Sequence, residues 1–250
     1  MKIPAVRTWL GLGLPMLLLL IMTINIEWLA PLFNYFVDER TPAIYSRDSV
    51  FNLLLWHLAA VFIAISAATL VALFAGIWVT RTSGREFLPL ARAIANLGQT
   101  FPPVAVLALA VPALGFGLTP TLVALFLYGM LPIYENTVTG LQQVPERVCE
   151  AARGMGMSPH QRLWSIELPL ALPVIVAGIR ISLVISIGTA TIGSTVAAKG
   201  FGEVIIAGLL TDNMAFVLQG GIMVALMAII TDSLLQHLER RLSPAVSRKL

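Results

Sequence analysis

From Ser49 to Thr80 the chain runs 32 residues without an aspartate, glutamate, lysine or arginine, and from Ala93 to Tyr134 it runs 42. A helix needs ~20 residues to cross the hydrocarbon of a bilayer, so runs of this length read as membrane spans. Only 12% of the residues are charged and 58% are hydrophobic, whereas soluble domains are about a quarter charged. Thr8 to Ile26 supplies one span and Ser49 to Thr80 a second. The 42-residue run is too long for one crossing and is cut by "VPALGFGLTP" (111–120), whose two prolines and two glycines signal a turn. It therefore yields a third and a fourth span. A fifth runs from about Leu170 to Ala198 and a sixth from about Met214 to Leu235. The fold class expected is an all-α integral membrane protein with six transmembrane helices.

Lysine and arginine set the expected orientation, because they concentrate on the cytoplasmic side. Of the 16 in the chain, twelve fall in segments on the side of the termini. Arg40, Arg47 and Lys199 fall on the other side, and Arg180 lies within the fifth span. Both termini, and the polar stretch 142–169, are thus expected in the cytoplasm. Lys2 and Arg7 precede the first apolar run as in a signal peptide, but no A-x-A cleavage site follows, so the run is read as a retained span. The single cysteine, Cys149, excludes an internal disulfide and a cysteine-rich metal site. The net charge of +3 gives no reason to invoke nucleic acid.

The polar stretch has its own architecture. Pro145 and Glu146 suit the first turn of a helix, where a missing N–H is harmless and a carboxylate meets the positive end of the dipole. Gly154 or Gly156 should stop that helix, since glycine tolerates the left-handed C-cap conformation. Ser158 reads as the N-cap of a second helix, with Pro159 at its first position and Gln161 completing a capping box. Pro169 is expected to end that helix. A DNA-binding helix-turn-helix is excluded by the mixed charge and by ends anchored at the membrane. A plain connection needs only a few residues, so a shaped loop of this length suggests a docking surface.

The spacing Glu150-Ala151-Ala152, Gly156-Met157, Ile166, Leu168-Pro169 resembles the EAA motif of permease subunits in binding-protein-dependent ABC importers. The stretches "GQTFPPVAVLALAVP" (98–112) and "IGTATIGSTVAAKGFGEVIIAGL" (187–209) are similar to permeases of bacterial osmoprotectant importers, which take up glycine betaine, choline or carnitine. The resemblance covers roughly residues 50 to 235. It implies a type I importer permease in the bacterial inner membrane whose loop 142–169 transmits closure of a cytoplasmic ATPase to the pore. Residues 1–49 would form the first span and a periplasmic loop, 50–240 the permease core, and 241–250 a cytoplasmic tail. The implied partners are two copies of the ATPase, a second and related permease, a periplasmic substrate-binding protein and the lipid itself.

No G-x-x-x-x-G-K-[ST] phosphate-binding loop occurs in the sequence. The chain is therefore read as having no catalytic residue and no cofactor or metal of its own, with ATP and magnesium on the partner. Candidates for a translocation path or gate are Gln99, Phe101 and Pro102 at the "QTFPP" break, and Ser186, Thr189 and Ser194. These serines belong to a stripe of small residues, Gly178, Ser182, Ser186, Ala190, Ser194 and Ala198, spaced by four. A matching stripe, Ala64, Ala68, Ala72 and Gly76, lies in the second span, and such stripes let helices approach closely in lipid. Residues 200–211 read as a short helix on the outer side. The alternatives weighed are an ABC permease for another small solute such as methionine, and a stand-alone secondary transporter. A coupled carrier usually keeps ionisable groups in its spans, and here only His57, Arg180 and Glu135 qualify.

Overall fold

The structure is a computed structural model that describes the backbone of residues 5–242 and the side chains of residues 12–242. Lys2, the side chain of Arg7, and Arg248 and Lys249 in the expected tail lie outside the described residues. Among the described residues all regular structure is helical. In chain order the helices are α1 (Ala5–Asn25), α2 (Ala30–Phe33), α3 (Val50–Val79), α4 (Leu88–Thr100), α5 (Pro103–Leu114), α6 (Leu118–Gln142), α7 (Glu146–Gly154), α8 (Pro159–Arg162), α9 (Leu168–Thr189), α10 (Phe201–Leu210) and α11 (Met214–Leu242).

Five helical segments are long and apolar enough to cross a membrane, and a sixth crossing results if the bent pair Arg85–Thr100 and Pro103–Leu114 is one span. That pair turns by 92° at Phe101-Pro102. Pro102 and Pro103 have no N–H to continue the ladder of α4, so the helix stops and α5 starts afresh with Pro102 as its N-cap. The 42-residue run is therefore interrupted twice, at 101–102 and again at Gly115 and Gly117, both with positive φ.

Two of the expected helix ends are corrected. Pro169 does not end the second loop helix. A π-turn over Leu163–Glu167 widens the chain just before it, so that the proline ring is accommodated and the helix runs on as α9. The four-residue stripe of the fifth span does not continue to Ala198 on one helical face. The chain tightens into a 3-10 helix over Ala190–Val196 and reverses at Ala197, whose φ is +64°.

The chain divides into two compact units, one of Met1–Ala64, Phe101–Leu125 and Leu183–Ser233, the other of Ile65–Thr100, Phe126–Ser182 and Leu234–Leu250. The second unit is organised round α6. Gly76 of α3 approaches Thr137, and a Cβ at Gly178 of α9 would stand 2.6 Å from the Cβ of Asn136 and 2.8 Å from the carbonyl of Pro132. The hydroxyl of Ser182 donates to the Gly129 carbonyl at 2.6 Å. The small stripes thus serve here as seats for α6, which is how helices associate where apolar burial supplies little drive. Near the loop, Leu141, Ala171 and Ile175 form a buried cluster covered by Leu163, Leu168 and Leu73.

In the first unit, α10 packs on the 3-10 segment through Gly202, which lies against the Thr191 carbonyl. The segment before α3 is strapped to α10 and α11. The Tyr45 hydroxyl donates to Glu203 at 2.7 Å, the Tyr45 N–H donates to the Gln219 side-chain carbonyl at 3.1 Å, and the Asn213 amide donates to the Pro42 carbonyl at 2.8 Å. Asn213 also caps α11, accepting the Phe216 N–H at 3.1 Å. Lys199 pairs with Asp48 at 2.6 Å.

Candidate functional site

Residues 142–169 form a helix, a sharp corner and a second helix, each piece fixed by local chemistry. Pro145 caps α7. At its other end the Met157 N–H donates to the Ala152 carbonyl at 3.1 Å and the Gly156 N–H to the Arg153 carbonyl at 2.9 Å. This pair of bonds is a Schellman motif. It requires a left-handed residue at Gly156, whose φ is +78°. Ser158 then opens α8 through a complete capping box: its hydroxyl accepts the Gln161 N–H at 3.3 Å, and its own N–H donates to the Gln161 side chain at 2.9 Å.

The EAA residues fall on both sides of this loop. Glu150, Ala151 and Gly156 are exposed, Ala152 is buried, and Met157, Ile166 and Leu168 are half-buried, with Pro169 exposed at the start of α9. Two large apolar side chains beside them are exposed, Met155 at 73% and Trp164 at 60%. A loop that hides Ala152 and Cys149 inward yet presents Met155 and Trp164 outward has a surface suited to a partner.

The strongest anchor of the loop is a residue that sequence reasoning passed over. Glu167 lies between the apolar Ile166 and Leu168, yet its carboxylate is buried at 5% exposure. One oxygen accepts from Arg162 Nε at 2.6 Å, and the other meets Arg81 Nη1 at 2.6 Å. Arg81 follows α3 and Arg162 ends α8, so a single carboxylate ties the loop to a span. Both of its oxygens are engaged by charged donors, the condition under which a buried ion cluster is tolerated. A lone carboxylate in an apolar run was the available signal, but its second partner is remote in sequence. On the outer side of the loop Arg153 pairs with Glu146.

The six path candidates are spread over several elements. The Gln99 amide donates to the Tyr128 carbonyl at 3.0 Å. Phe101 and Pro102 are exposed at the break, and Ser186 is buried. Thr189 donates to the Ile185 carbonyl and Ser194 to the Ala198 carbonyl, each at 2.9 Å. The three ionisable groups singled out in the spans, Arg180, Glu135 and His57, each have a partner. Arg180 faces Glu239 at 3.3 Å and Arg92 meets Glu135 at 2.6 Å. His57 is buried, with Nε2 2.9 Å from the Ile187 carbonyl and Nδ1 accepting the Phe201 N–H at 3.3 Å. These two bonds select the neutral tautomer with the proton on Nε2. They make His57 a structural staple.

A multi-pass helical membrane protein with a braced, partner-ready loop is the class these features define. Residues 68–244 match the family described as binding-protein-dependent transport system inner membrane component, and the chain belongs to that family. It is 44% identical over 188 residues to the osmoprotectant import permease protein OsmY of Salmonella typhimurium, covering 75% of this chain and 80% of that one. It is 39% identical over 194 residues to the choline transport system permease protein OpuBB of Bacillus subtilis (78% and 88% covered), and 41% identical over 183 residues to the carnitine transport permease protein OpuCD of Listeria monocytogenes (73% and 81% covered). Among solved structures, the fold is shared with the inward-facing MetNI methionine ABC transporter at a TM-score of 0.69 and 22% identity, covering 76% of this chain and 94% of that one. The chain is thus a multi-pass permease subunit of an ABC importer in the bacterial inner membrane. ATP is hydrolysed by a separate ATP-binding subunit, and family membership implies a substrate-binding partner as well.

Proposed function

We propose that this permease carries a small osmoprotectant such as glycine betaine inward, as one of two permeases in an importer driven by two copies of a cytoplasmic ATPase with ATP and magnesium. Both termini and the loop 142–169 face the cytoplasm, and a periplasmic protein delivers the ligand. The substrate reading rests on relatives whose names specify osmoprotectant, choline and carnitine transport, at 39–44% identity. The coupling reading rests on the loop itself. Glu150 and Ala151 stand at the surface beside the Gly156 corner, and Glu167 fastens that surface to the end of α3. A push on the loop is therefore delivered to a span. Gln99, Phe101 and Pro102 at the 92° bend, with Ser186, Thr189 and Ser194, are assigned to the path or its gate.

Specificity follows from the chemistry of the ligand. A quaternary ammonium is held by aromatic faces, and tight binding in a pore would trap it, so selection belongs to the binding protein. The paired or bonded state of Arg180, Glu135 and His57 favours this energy-receiving role over an ion-coupled carrier. The test is uptake of labelled glycine betaine, choline and carnitine by cells lacking other osmolyte importers and expressing the full complex. Uptake at high osmolarity that needs the ATPase supports the assignment. Import of a different solute with none of these three refutes the substrate and leaves the family intact.

A further inference from the structure

Beside the loop lies a cavity of about 240 Å³ for which the coupling role names no occupant, although the Glu167 fastening forms part of its wall. It is bounded by the ends of α3 and α6, the turn before α4, and residues of α7 and α8. Four guanidinium groups line it, Arg81, Arg85, Arg153 and Arg162, against two carboxylates, Glu146 and Glu167. Glu167 is shared by Arg81 and Arg162, and Glu146 pairs with Arg153, so the lining holds two more positive charges than negative. Helix ends change this balance little. The C-termini of α3 and α6 contribute about −0.5 each and the N-terminus of α7 about +0.5.

We propose that this cavity binds a phosphate-bearing anion. Planar guanidinium forks match phosphate oxygens two at a time, and the volume leaves room for a phosphate and several waters. The anion could be supplied from two directions. α3 and α6 are helices of membrane-crossing length that end at Val79 and Gln142, so one source is a lipid headgroup at those ends. The open side of the cavity admits a soluble anion as the other. In either case the anion would join Arg85, on the connection after α3, to Arg153 on α7. It would thus add a second brace between the loop and the spans.

Cys149, the only cysteine, also lines the cavity and reports its occupancy. Burial, and then the carboxylates of Glu167 and Glu146, push its thiol above the ordinary range, so labelling is followed at mildly alkaline pH. The full chain is placed in phosphatidylcholine or phosphatidylglycerol nanodiscs and reacted with a maleimide in phosphate or in chloride of equal ionic strength. A severalfold slowing by phosphate in phosphatidylcholine discs supports the proposal and identifies a soluble anion. Slowing in phosphatidylglycerol discs without phosphate supports it and identifies a headgroup. In Arg85→Gln the phosphate, or the fraction of phosphatidylglycerol, needed for half protection should rise roughly ten- to hundredfold, the worth of one charge-assisted bond. Arg85 is exposed and its substitution opens no core; Arg85→Lys should fall between the two. Equal labelling in all four conditions overturns the proposal, as does full protection of Arg85→Gln.

Discussion

Replacing Glu167 by glutamine keeps the shape of the side chain and removes its charge. The arginines at its two oxygens, each at 2.6 Å, would then face one neutral amide. Breaking a buried ion cluster by removing one partner costs about 3–5 kcal/mol. Here the arginine side chains are 24% and 18% exposed, so water recovers part of the loss, and about 2–3 kcal/mol is the fitting figure. At 1.4 kcal/mol per tenfold, the loop should detach from α3 roughly 30- to 150-fold more often. Hydrogen exchange reads this directly through the Leu168 N–H, which bonds to the Leu163 carbonyl across the π-turn. In the reconstituted importer, ATP hydrolysis should continue while solute moved per ATP falls. Arg147→Gln, on an exposed position of the same loop, is the control and should change neither quantity. Exchange within twofold of the parent, together with normal uptake, would refute the reading of Glu167 as the loop's fastening.

Gly156→Val should abolish uptake while insertion and α-helix content persist. A left-handed φ of +78° costs an ordinary residue about 1–2 kcal/mol and a β-branched one more, so the Schellman corner opens; unimpaired uptake counts against it. The segment before α3 should show a specific acid response. Bonds from Asn52, and then Lys199, hold the Asp48 carboxyl below the usual carboxylate range. Its contribution is therefore complete above the ordinary carboxylate pKa and is lost as pH falls through the depressed folded value. The difference in Tm between the parent and Asp48→Asn should stay constant from neutral to mildly acidic pH and shrink only below about pH 4. A difference that instead shrinks between pH 7 and 5 contradicts the assignment.

What the sequence made legible was what short-range chemistry determines. Pro145, Gly156, Ser158 and Gln161 each act within four residues, and they made the helix, corner and second helix legible, with the corner left between Gly154 and Gly156. Phe101-Pro102 as a break followed from missing donors in the same way. Local rules misled at Pro169, where the π-turn of Leu163–Glu167 absorbs a proline expected to stop the helix. They also failed for the stripe beyond Ser186, because nothing within Ala190–Val196 announces the change to a tighter helix. The Glu167–Arg81 bond and the strap of Tyr45 on Glu203 and Gln219 were illegible for another reason. Each joins residues far apart in the chain, and charge or hydrogen-bonding capacity alone does not name the distant partner.

Gln99 shows how such a distant bond can be deduced once the helices are in place, and how the deduction can be checked. Pro132 lies inside α6 and has no N–H to offer the carbonyl four residues earlier, which is that of Tyr128. The Gln99 amide reaches across from the last turn of α4 and supplies a donor at 3.0 Å. Gln99→Leu removes this donor in a protein that cannot replace it from α6, and should destabilise the permease by about 1–2 kcal/mol, the upper range for interhelical bonds in membranes. Pro132→Ala restores a backbone N–H to Tyr128, so in that background Gln99→Leu should cost little. The double-mutant cycle, read by thermal or denaturant unfolding of the purified chain, should therefore give a coupling energy of about 1 kcal/mol between two residues on different helices. Strict additivity would show that the carbonyl is satisfied in some other way and that Gln99 is not held for this purpose. Coupling in stability with unaltered uptake would make Gln99 a structural filler for Pro132 and remove it from the path; coupling in both would keep it at the bend as part of the gate.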